Sequence, residues 1–352
     1  MTLAKAASLV ALVVVFPAAC SSSGGSPSAG ETAGWTMAGP VAIDAVLDSV
    51  WADGADVYAA SLSDGASPFV FSSHNRGATW ASVPVANAQA GLTGVTATGN
   101  GDVYVVGYTN PFIDVANTGP LLLKSTDGGA TFATLAPDLQ GAIFAVWADP
   151  QRGLYVAGGD SAGGFFARSA DGGLDWTQTM IPGSSYLSGL WVSASGDIYA
   201  AGGAVFKSTD EGATWAVVAT PPTEATAISG SPDGARIVAS GAGLLVVESL
   251  DGGATWQVLS GSAALVESDA PALGGVWVAD AVSDPYFAAG RSGVLRTIST
   301  GDAPGAPFVT GGDFLPDTPI IRAVTGDATD VWAVGGSIAN AMSAVYRKPL
   351  GL

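Results

Sequence analysis

Short segments in which apolar and polar residues alternate run along most of the chain, and Gly-rich turns separate them. One segment, at 143–149, reads Ile-Phe-Ala-Val-Trp-Ala-Asp, and related segments occur at 47–51, 92–96, 187–191, 225–229, 273–277 and 321–325. A second type, Asp-Val-Tyr-Val-Val-Gly at 102–107, recurs after each of them around an aromatic or aliphatic residue. Alternation rich in β-branched and aromatic residues is typical of short strands. After the first 20 residues we see no helical period, so the pattern predicts an all-β protein.

An eight-residue motif, Ser-x-Asp-x-Gly-x-Thr-Trp, connects the predicted third and fourth strands of each unit. Five copies begin at Ser73, Ser125, Ser169, Ser208 and Ser249, and a degenerate sixth lies near residues 297–301. Ser and Asp side chains hydrogen-bond to nearby backbone where a strand ladder must break, and Gly allows a positive φ. The oxygen-ligand series of an EF-hand is missing from the motif. We therefore interpret it as a repeated turn that stabilises the fold.

The motif resembles the Asp-box (BNR) repeat of sialidases, sortilin-like receptors and the propeller assembly factors for photosystem II. This resemblance implies a β-propeller. Seven first strands are countable, and fourth strands begin at Trp80, Phe132, Trp176, Trp215, Trp256 and Phe308, with residues 35–40 as the remaining one. Residues 35–352 then provide about 45 residues per blade, which suits four strands. We predict a single seven-bladed propeller with Asp-box hairpins, in which the N-terminal strand closes the last blade.

The first 34 residues differ from the repeats. An apolar stretch at 7–16 follows Lys5 and is too short to span a bilayer, as in a secretory signal peptide. It leads into Pro-Ala-Ala-Cys, which resembles a bacterial lipobox with Cys20 as the lipidated residue, although Pro17 replaces the usual aliphatic residue. We predict a lipoprotein signal peptide at 1–19, a flexible Ser/Gly-rich tether at 20–34 and the propeller at 35–352. The alternative is an ordinary cleaved secretory peptide. By resemblance to sorting signals, Ser21 favours the outer membrane in a cell that has one.

The charge balance limits the partners that this chain can have. Thirty acidic residues against 12 basic ones give a net charge of −18, which argues against nucleic acid and anionic membrane surfaces. A single Cys and a single His exclude a disulfide framework and a structural zinc site built from these ligands. We expect no cofactor and no metal.

Catalytic residues of the sialidase type are not recognisable in this sequence. Sialidases hold a substrate carboxylate with three arginines, whereas only Arg291 and Arg322 are predicted on the face formed by the loops that enter the first strands. We refer to this as the loop face; the Asp boxes lie on the opposite box face. We therefore assign no catalytic residue. A glycoside hydrolase with paired carboxylates, drawn from Asp48, Asp269, Asp313 or Asp317, is the alternative.

A candidate binding site is predicted where the loop face surrounds the channel mouth. Arg322 and Asp48 occupy the same repeat position in neighbouring blades, and the long loops nearby carry further charged and aromatic residues. The predicted ligand-binding residues are Arg322, Asp48, Arg291, Phe314, Asp313, Asp317, Tyr186 and Phe112. The alternative is that Arg322 and Asp48 only satisfy each other in a narrow channel. We expect a monomeric, non-catalytic binding or assembly module of the bacterial cell envelope, whose partner is a protein or a glycan.

Overall fold

The computed structural model describes residues 35–39, 45–63, 67–85, 91–109, 118–135, 137–242, 245–260, 273–279, 286–289, 294–297, 313–314, 320–337 and 342–350. Within these ranges, no helix has the length and apolar character needed to cross a membrane. The predicted signal peptide, the tether and Cys20 lie outside the described residues.

The described residues form short antiparallel strands, as the alternating pattern predicts. In chain order the strands are β1 (Thr36–Met37), β2 (Ala45–Asp53), β3 (Asp56–Ser63), β4 (Phe69–Ser73), β5 (Ala81–Pro84), β6 (Gly91–Ala97), β7 (Val103–Tyr108), β8 (Pro120–Ser125), β9 (Ala133–Leu135), β10 (Ala142–Asp149), β11 (Gly153–Asp160), β12 (Gly163–Ser169), β13 (Thr177–Met180), β14 (Gly189–Val192), β15 (Ile198–Gly202), β16 (Ala204–Ser208), β17 (Ala216–Ala219), β18 (Ala225–Gly230), β19 (Ile237–Gly241), β20 (Leu245–Ser249), β21 (Gln257–Ser260), β22 (Leu273–Trp277), β23 (Tyr286–Ala289), β24 (Val294–Thr297), β25 (Asp313–Phe314), β26 (Ile320–Gly326), β27 (Asp330–Ser337) and β28 (Met342–Pro349).

The strands pair into four-stranded sheets in the orders β2–β5, β6–β9, β10–β13, β14–β17, β18–β21, β22–β25 and β26–β27–β28–β1. The first strand of each sheet contacts the first strand of the next sheet, and β26 contacts β2. This radial arrangement of four-stranded sheets is that of a β-propeller. Apolar clusters fill the spaces between adjacent sheets, as where Tyr58 packs with Leu92 and Val105.

Strand β1 comes from the N-terminus and is the outer strand of the sheet that contains the C-terminal strand. Thr36 pairs with Arg347 and Met37 with Tyr346. The Ala38 N–H donates to the Val345 carbonyl at 2.8 Å, and Trp35 is buried beside Tyr346. The two ends of the described chain are therefore joined within one sheet.

The prediction of a seven-bladed propeller is wrong: the structure contains six regular blades, and the sheet β22–β25 departs from them. Its three inner strands have five, four and four residues. Its outer strand has two residues, Asp313–Phe314, and does not begin at the predicted Phe308. The preceding box, at residues 297–301, has lost the Asp and the Trp. This degenerate box lacks the Asp that bonds the turn and the Trp that opens the outer strand in the complete copies, so the regular blades number six.

The Asp boxes have the structural role that was predicted for them. In the copy at 249–256, Ser249 Oγ donates to Asp251 Oδ1 at 2.8 Å, and Asp251 accepts both the backbone N–H and the hydroxyl of Thr255. These bonds hold the pKa of Asp251 at about 2, because they stabilise its ionised form. Trp256 closes the turn by donating its indole N–H to the Gly253 carbonyl at 3.2 Å.

The box glycines also make room for the preceding sheet. A Cβ at Gly212 would lie 2.0 Å from Phe166, and one at Gly253 would lie 2.8 Å from the Tyr199 hydroxyl, which donates to the Gly252 carbonyl at 2.7 Å. Each of these boxes therefore stabilises its own hairpin and packs against an aromatic ring of the preceding sheet.

Cations that end third strands lie on the box face, as predicted. Arg168 donates to Glu211 at 2.7 Å, and Arg347 donates to the buried Asp330 at 2.8 Å. In the sheet β18–β21 the two charges exchange places: the third strand carries the acidic Glu248, and the buried Arg236, directly before β19, donates to it at 2.5 Å. These ion pairs stabilise the fold. Among the described residues, the arginine on the loop face is Arg322.

Candidate functional site

A β-bulge recurs near the loop-face end of the innermost strands. Six of the first-strand pairings shift register by one residue, and the extra residue is the same repeat position in each: Asp48, Thr93, Phe144, Thr226, Gly274 and Arg322. Ser188 has the equivalent place directly before β14. A bulge removes one residue from the ladder and re-aims its side chain. Because the innermost strands surround the channel, these residues form a ring around its mouth, which we call the bulge ring.

Side chains of the bulge ring reach the next sheet. Thr93 donates to the Ile143 carbonyl at 2.9 Å, and Ser188 donates to the Thr226 carbonyl at 2.7 Å. The Thr226 hydroxyl lies 3.5 Å from the Leu273 carbonyl. The polar members of the ring thus link neighbouring blades; Asp48 and Arg322 are its charged members, and Phe144 is its aromatic member.

Arg322 and Asp48 meet across the junction of β26 and β2. Arg322 Nη1 lies 3.3 Å from Asp48 Oδ1, and the two side chains are 36% and 20% exposed. The buried Nε of Arg322 has no hydrogen-bond partner in the described part of the chain. The pair was predicted from the repeat alignment, and the structure brings the two residues together.

Burial dominates the electrostatics of this pair. It raises the pKa of Asp48 to about 6, and the Arg322 charge and hydrogen bond only partly oppose the rise. The pKa of Tyr108 is raised as well, first by burial and then by the Asp48 charge, while Arg322 opposes the rise. Tyr108 therefore lies within the electrostatic reach of both charges.

An aromatic row extends from Tyr108 along the loop face. The Tyr108 and Phe144 ring centroids are 6.0 Å apart, and those of Phe144 and Tyr186 are 5.8 Å apart, both edge to face. Spacings of this kind are favourable for aromatic pairs. The row lines a cleft of about 220 Å³ together with Thr118, Ala142, Gly159 and Asp160. We call this the aromatic cleft.

The other predicted ligand-binding residues have different outcomes. Tyr186 is 48% exposed and lies in the aromatic cleft. Asp313 and Phe314 were interpreted as residues of a loop entering the next blade, and this is wrong: they pair with Leu295 and Val294 as the outer strand β25. Arg291, Asp317 and Phe112 lie outside the described residues. The structure thus brings Arg322 and Asp48 together and places Tyr186 in the aromatic cleft on the same face.

Sequence reasoning missed Phe144, Tyr108 and Asp160 as members of one site. Phe144 lies within a strand pattern and is indistinguishable there from a core residue. The available signal was its alignment with Asp48 and Arg322, because all three hold the same position of the repeat. Among the described residues, no group of three or more His, Cys, Asp or Glu side chains could hold a metal ion.

Comparison with solved structures finds the same arrangement in proteins of very different sequence. YCF48 from Cyanidioschyzon merolae matches with a TM-score of 0.62 at 15% identity, over 90% of this chain and 99% of that one. YCF48 bound to a D1 peptide matches with a TM-score of 0.63 at 16% identity, over 90% and 97% of the two chains. The WD40 repeats of RRP9 match with a TM-score of 0.67 at 13% identity, over 91% and 98%.

The chain is similar to β-propellers. At these identities the similarity concerns the fold alone. No protein-family model matches the sequence, and no curated protein does. The resemblance to the Asp-box family and the lipoprotein interpretation therefore remain predictions.

Proposed function

We propose that this protein is a non-catalytic binding module whose loop face holds a segment of a partner protein. The observation that carries the proposal is that the Arg322–Asp48 pair and the aromatic cleft lie on the same face of the propeller, both built on residues of the bulge ring. Together they offer a charged anchor and an apolar recess on one surface. Concave sites of this kind, mostly apolar with a few polar groups, are typical of ligand sites.

The comparison with YCF48 supports a protein partner over other classes. That protein has the same fold and a solved structure bound to a D1 peptide. Several described charged side chains on the box face are engaged in ion pairs between sheets, as for Arg168 with Glu211 and Arg76 with Asp330. The loop face is therefore the better surface for a peptide.

We further propose that the partner belongs to the cell envelope and that the module is anchored there through Cys20. This rests on the sequence at 7–34 alone. An exported location is consistent with a chain that has one cysteine and a net charge of −18.

Capture of partners from native envelope extract by the purified, tagged chain tests the loop-face proposal. Tyr186→Ala removes an exposed ring and is expected to reduce recovery of specific partners at least fivefold, with melting temperature unchanged. Leu174→Ala, at an even more exposed site in a box, is the control because it alters the opposite face. Equal loss in both variants, or full recovery with Tyr186→Ala, would contradict the assignment of the loop face.

A glycoside hydrolase is the second candidate, and one observation favours it. Asp48 has a pKa of about 6 in the channel mouth, which suits a general acid near neutral pH. Release of reducing sugar from a panel of sialosides and bacterial or plant polysaccharides tests this candidate, with Asp48→Asn as the inactive control. Activity that survives in Asp48→Asn would exclude Asp48 as the acid.

A further inference from the structure

The aromatic cleft has one ionisable group beside its rings that could face a ligand as a charge, the carboxylate of Asp160. Its other described lining residues are Tyr108, Thr118, Ala142, Phe144, Gly159 and Tyr186. Asp160 Oδ1 accepts the Ala162 N–H at 2.7 Å, and the residue forms no ion pair with any cation in the described part of the chain. As far as its described lining residues show, the cleft is an apolar recess with a carboxylate at its wall and no basic side chain.

Three rings in a row add a second attraction for positive charge. The face of an aromatic ring carries negative potential and binds ammonium and guanidinium groups within about 6 Å of its centroid. The protein already uses this contact on the box face, where Lys207 lies 5.1 Å from the centre of the Tyr199 ring and also pairs with Asp197 at 2.9 Å. Tyr186, Phe144 and Asp160 likewise bring aromatic rings and a carboxylate into one cleft.

The ligand must also match the apolar walls. A sugar ring needs several hydrogen-bond partners around its hydroxyl groups, whereas most of the described lining of the cleft is apolar or aromatic. A lysine or arginine side chain has an apolar stem that packs on rings and a charged head that pairs with a carboxylate. The net charge of −18 favours the approach of a basic segment.

We propose that the aromatic cleft binds a lysine or arginine side chain of the partner protein, with its stem along Phe144 and Tyr186 and its head at Asp160. This deepens the proposed function and rests on it for the identity of the ligand as a protein segment. The charged groups nearest to the row on the other side are Asp48 and Arg322, next to Tyr108. Their opposite charges offset each other, which leaves Asp160 as the charge that selects the ligand.

Peptides of one design provide the test. The probes are acetyl-Gly-Gly-Arg-Gly-Gly-amide and its citrulline counterpart, which has nearly the same shape without the charge; both are titrated into the full chain and followed by NMR. We expect the arginine peptide to bind about tenfold more tightly than the citrulline peptide, as for a cation that contacts both rings and a carboxylate. This preference is expected to decrease as salt rises.

Variants then assign the binding to the cleft. Asp160→Asn keeps the acceptor for the Ala162 N–H and is expected to remove most of the preference for arginine over citrulline. Phe144→Leu keeps an apolar side chain and is expected to weaken the arginine peptide about fivefold. Asp175→Asn, which removes one negative charge from an exposed position on the box face, is the control and should leave binding unchanged.

Several results would overturn the inference: equal binding of the two peptides, an unchanged preference in Asp160→Asn, or an equal loss in Asp175→Asn. Binding of cellohexaose or chitohexaose that is lost in Phe144→Leu and retained in Asp160→Asn would identify the cleft as a glycan site instead. The two proposals fail separately. Capture of envelope partners that is insensitive to Asp160→Asn contradicts the cleft assignment alone, whereas selective arginine binding without any recovered partner contradicts the proposed function alone.

Discussion

Two side chains occupy a backbone conformation for which glycine is better suited. Arg76 and Glu211 have φ angles of 55° and 59° at the box position where three other copies have Gly128, Gly172 and Gly252. The left-handed conformation costs a residue with a Cβ about 1 kcal/mol. Each of the two compensates with an ion pair to another sheet, Arg76 with Asp330 at 3.3 Å and Glu211 with Arg168 at 2.7 Å. In these two boxes the backbone is locally strained, and an ion pair to another sheet offsets the cost.

Replacing Glu211 separates these two effects. Glu211→Gly loses an exposed ion pair worth about 0–1 kcal/mol and relieves about 1 kcal/mol of strain, so we expect stability equal to or slightly above that of the wild type. Glu211→Ala loses the pair and keeps the strain, and is expected to be less stable than Glu211→Gly by about 1 kcal/mol. Urea unfolding of the three proteins measures the difference. Equal stability of the Gly and Ala variants would show that the position carries no strain.

The Arg322–Asp48 pair predicts a pH-dependent cost when Arg322 is removed. Asp48 has a folded pKa of about 6, above its ordinary value of 3.8, so its ionisation destabilises the folded state as pH rises through this window. Arg322→Ala removes the positive charge that lowers the pKa of Asp48. The variant therefore has a buried carboxylate without its ion-pair partner. We expect Arg322→Ala to lose about 1–3 kcal/mol at pH 8 and clearly less at pH 5, where Asp48 is largely protonated.

Thermal unfolding at the two pH values measures this effect, with Arg322→Ala/Asp48→Asn as the matched control. The double variant lacks the carboxylate and should show a loss that is similar at both pH values. A loss in Arg322→Ala that does not depend on pH would mean that the pair contributes through packing alone. Stability unchanged at pH 8 would contradict the structural part of its role.

At the level of elements, the strands were predictable and the bulges were not. Each first strand has the apolar pattern of a buried strand, and its alternation indicates strand type and approximate bounds. The bulge at Thr226 or Phe144 changes only which residues of the two paired strands lie opposite one another. The alternation within a single strand does not reveal such a shift. The pair of Arg322 with Asp48 was still predictable, because the repeat itself places both at one position. The aromatic cleft was not, because Phe144 is the bulge residue of β10, Asp160 ends β11, and Tyr186 comes from the segment between β13 and β14.

The outer strand β1 offers a test at the element scale. Deleting residues 35–40 removes the pairing with β28 and the buried Trp35, whose indole alone accounts for about 3–5 kcal/mol when truncated in a core. It also removes the Ala38 carbonyl that accepts the Trp80 indole N–H at 2.8 Å. We expect a large fall in melting temperature and self-association through the exposed edge of β28.

Differential scanning calorimetry and light scattering measure the two effects. Trp35→Phe is the matched control, since it keeps strand and ring and should cost much less. A deletion variant that remains monomeric with an unchanged melting temperature would show that β1 does not contribute to closure.

For the whole molecule, the sequence predicted more of the fold than of the site. Repetition makes the fold predictable, because a mistaken strand assignment in one unit is corrected by comparison with the others. The prediction failed in the unit with a degenerate box, around β25. A binding site occurs once in the chain and has no second copy to reveal it. Its charged pair was found only because two blades carry unusual residues at a repeated position.

Anchoring is a property of the whole molecule that a single substitution tests. If Cys20 carries the lipid, Cys20→Ser is expected to move the protein from the detergent-rich to the aqueous phase of a Triton X-114 partition, because a covalent acyl chain contributes about 0.8 kcal/mol per buried CH₂. Ser21→Ala is the matched control and should remain in the detergent phase. Wild-type protein found in the aqueous phase would contradict the lipobox interpretation.

The pairing of β1 with β28 has a consequence for how the protein is made. Thr36 and Arg347 are 311 positions apart, so β1 has no partner until nearly the whole chain has been synthesised. Contacts of such long sequence separation form late and slow the folding reaction. During that interval β1 and then β28 expose unpaired edges, which are sites for misassembly or for chaperone binding. Closure of the ring should therefore be the last step of folding and the step that limits its rate.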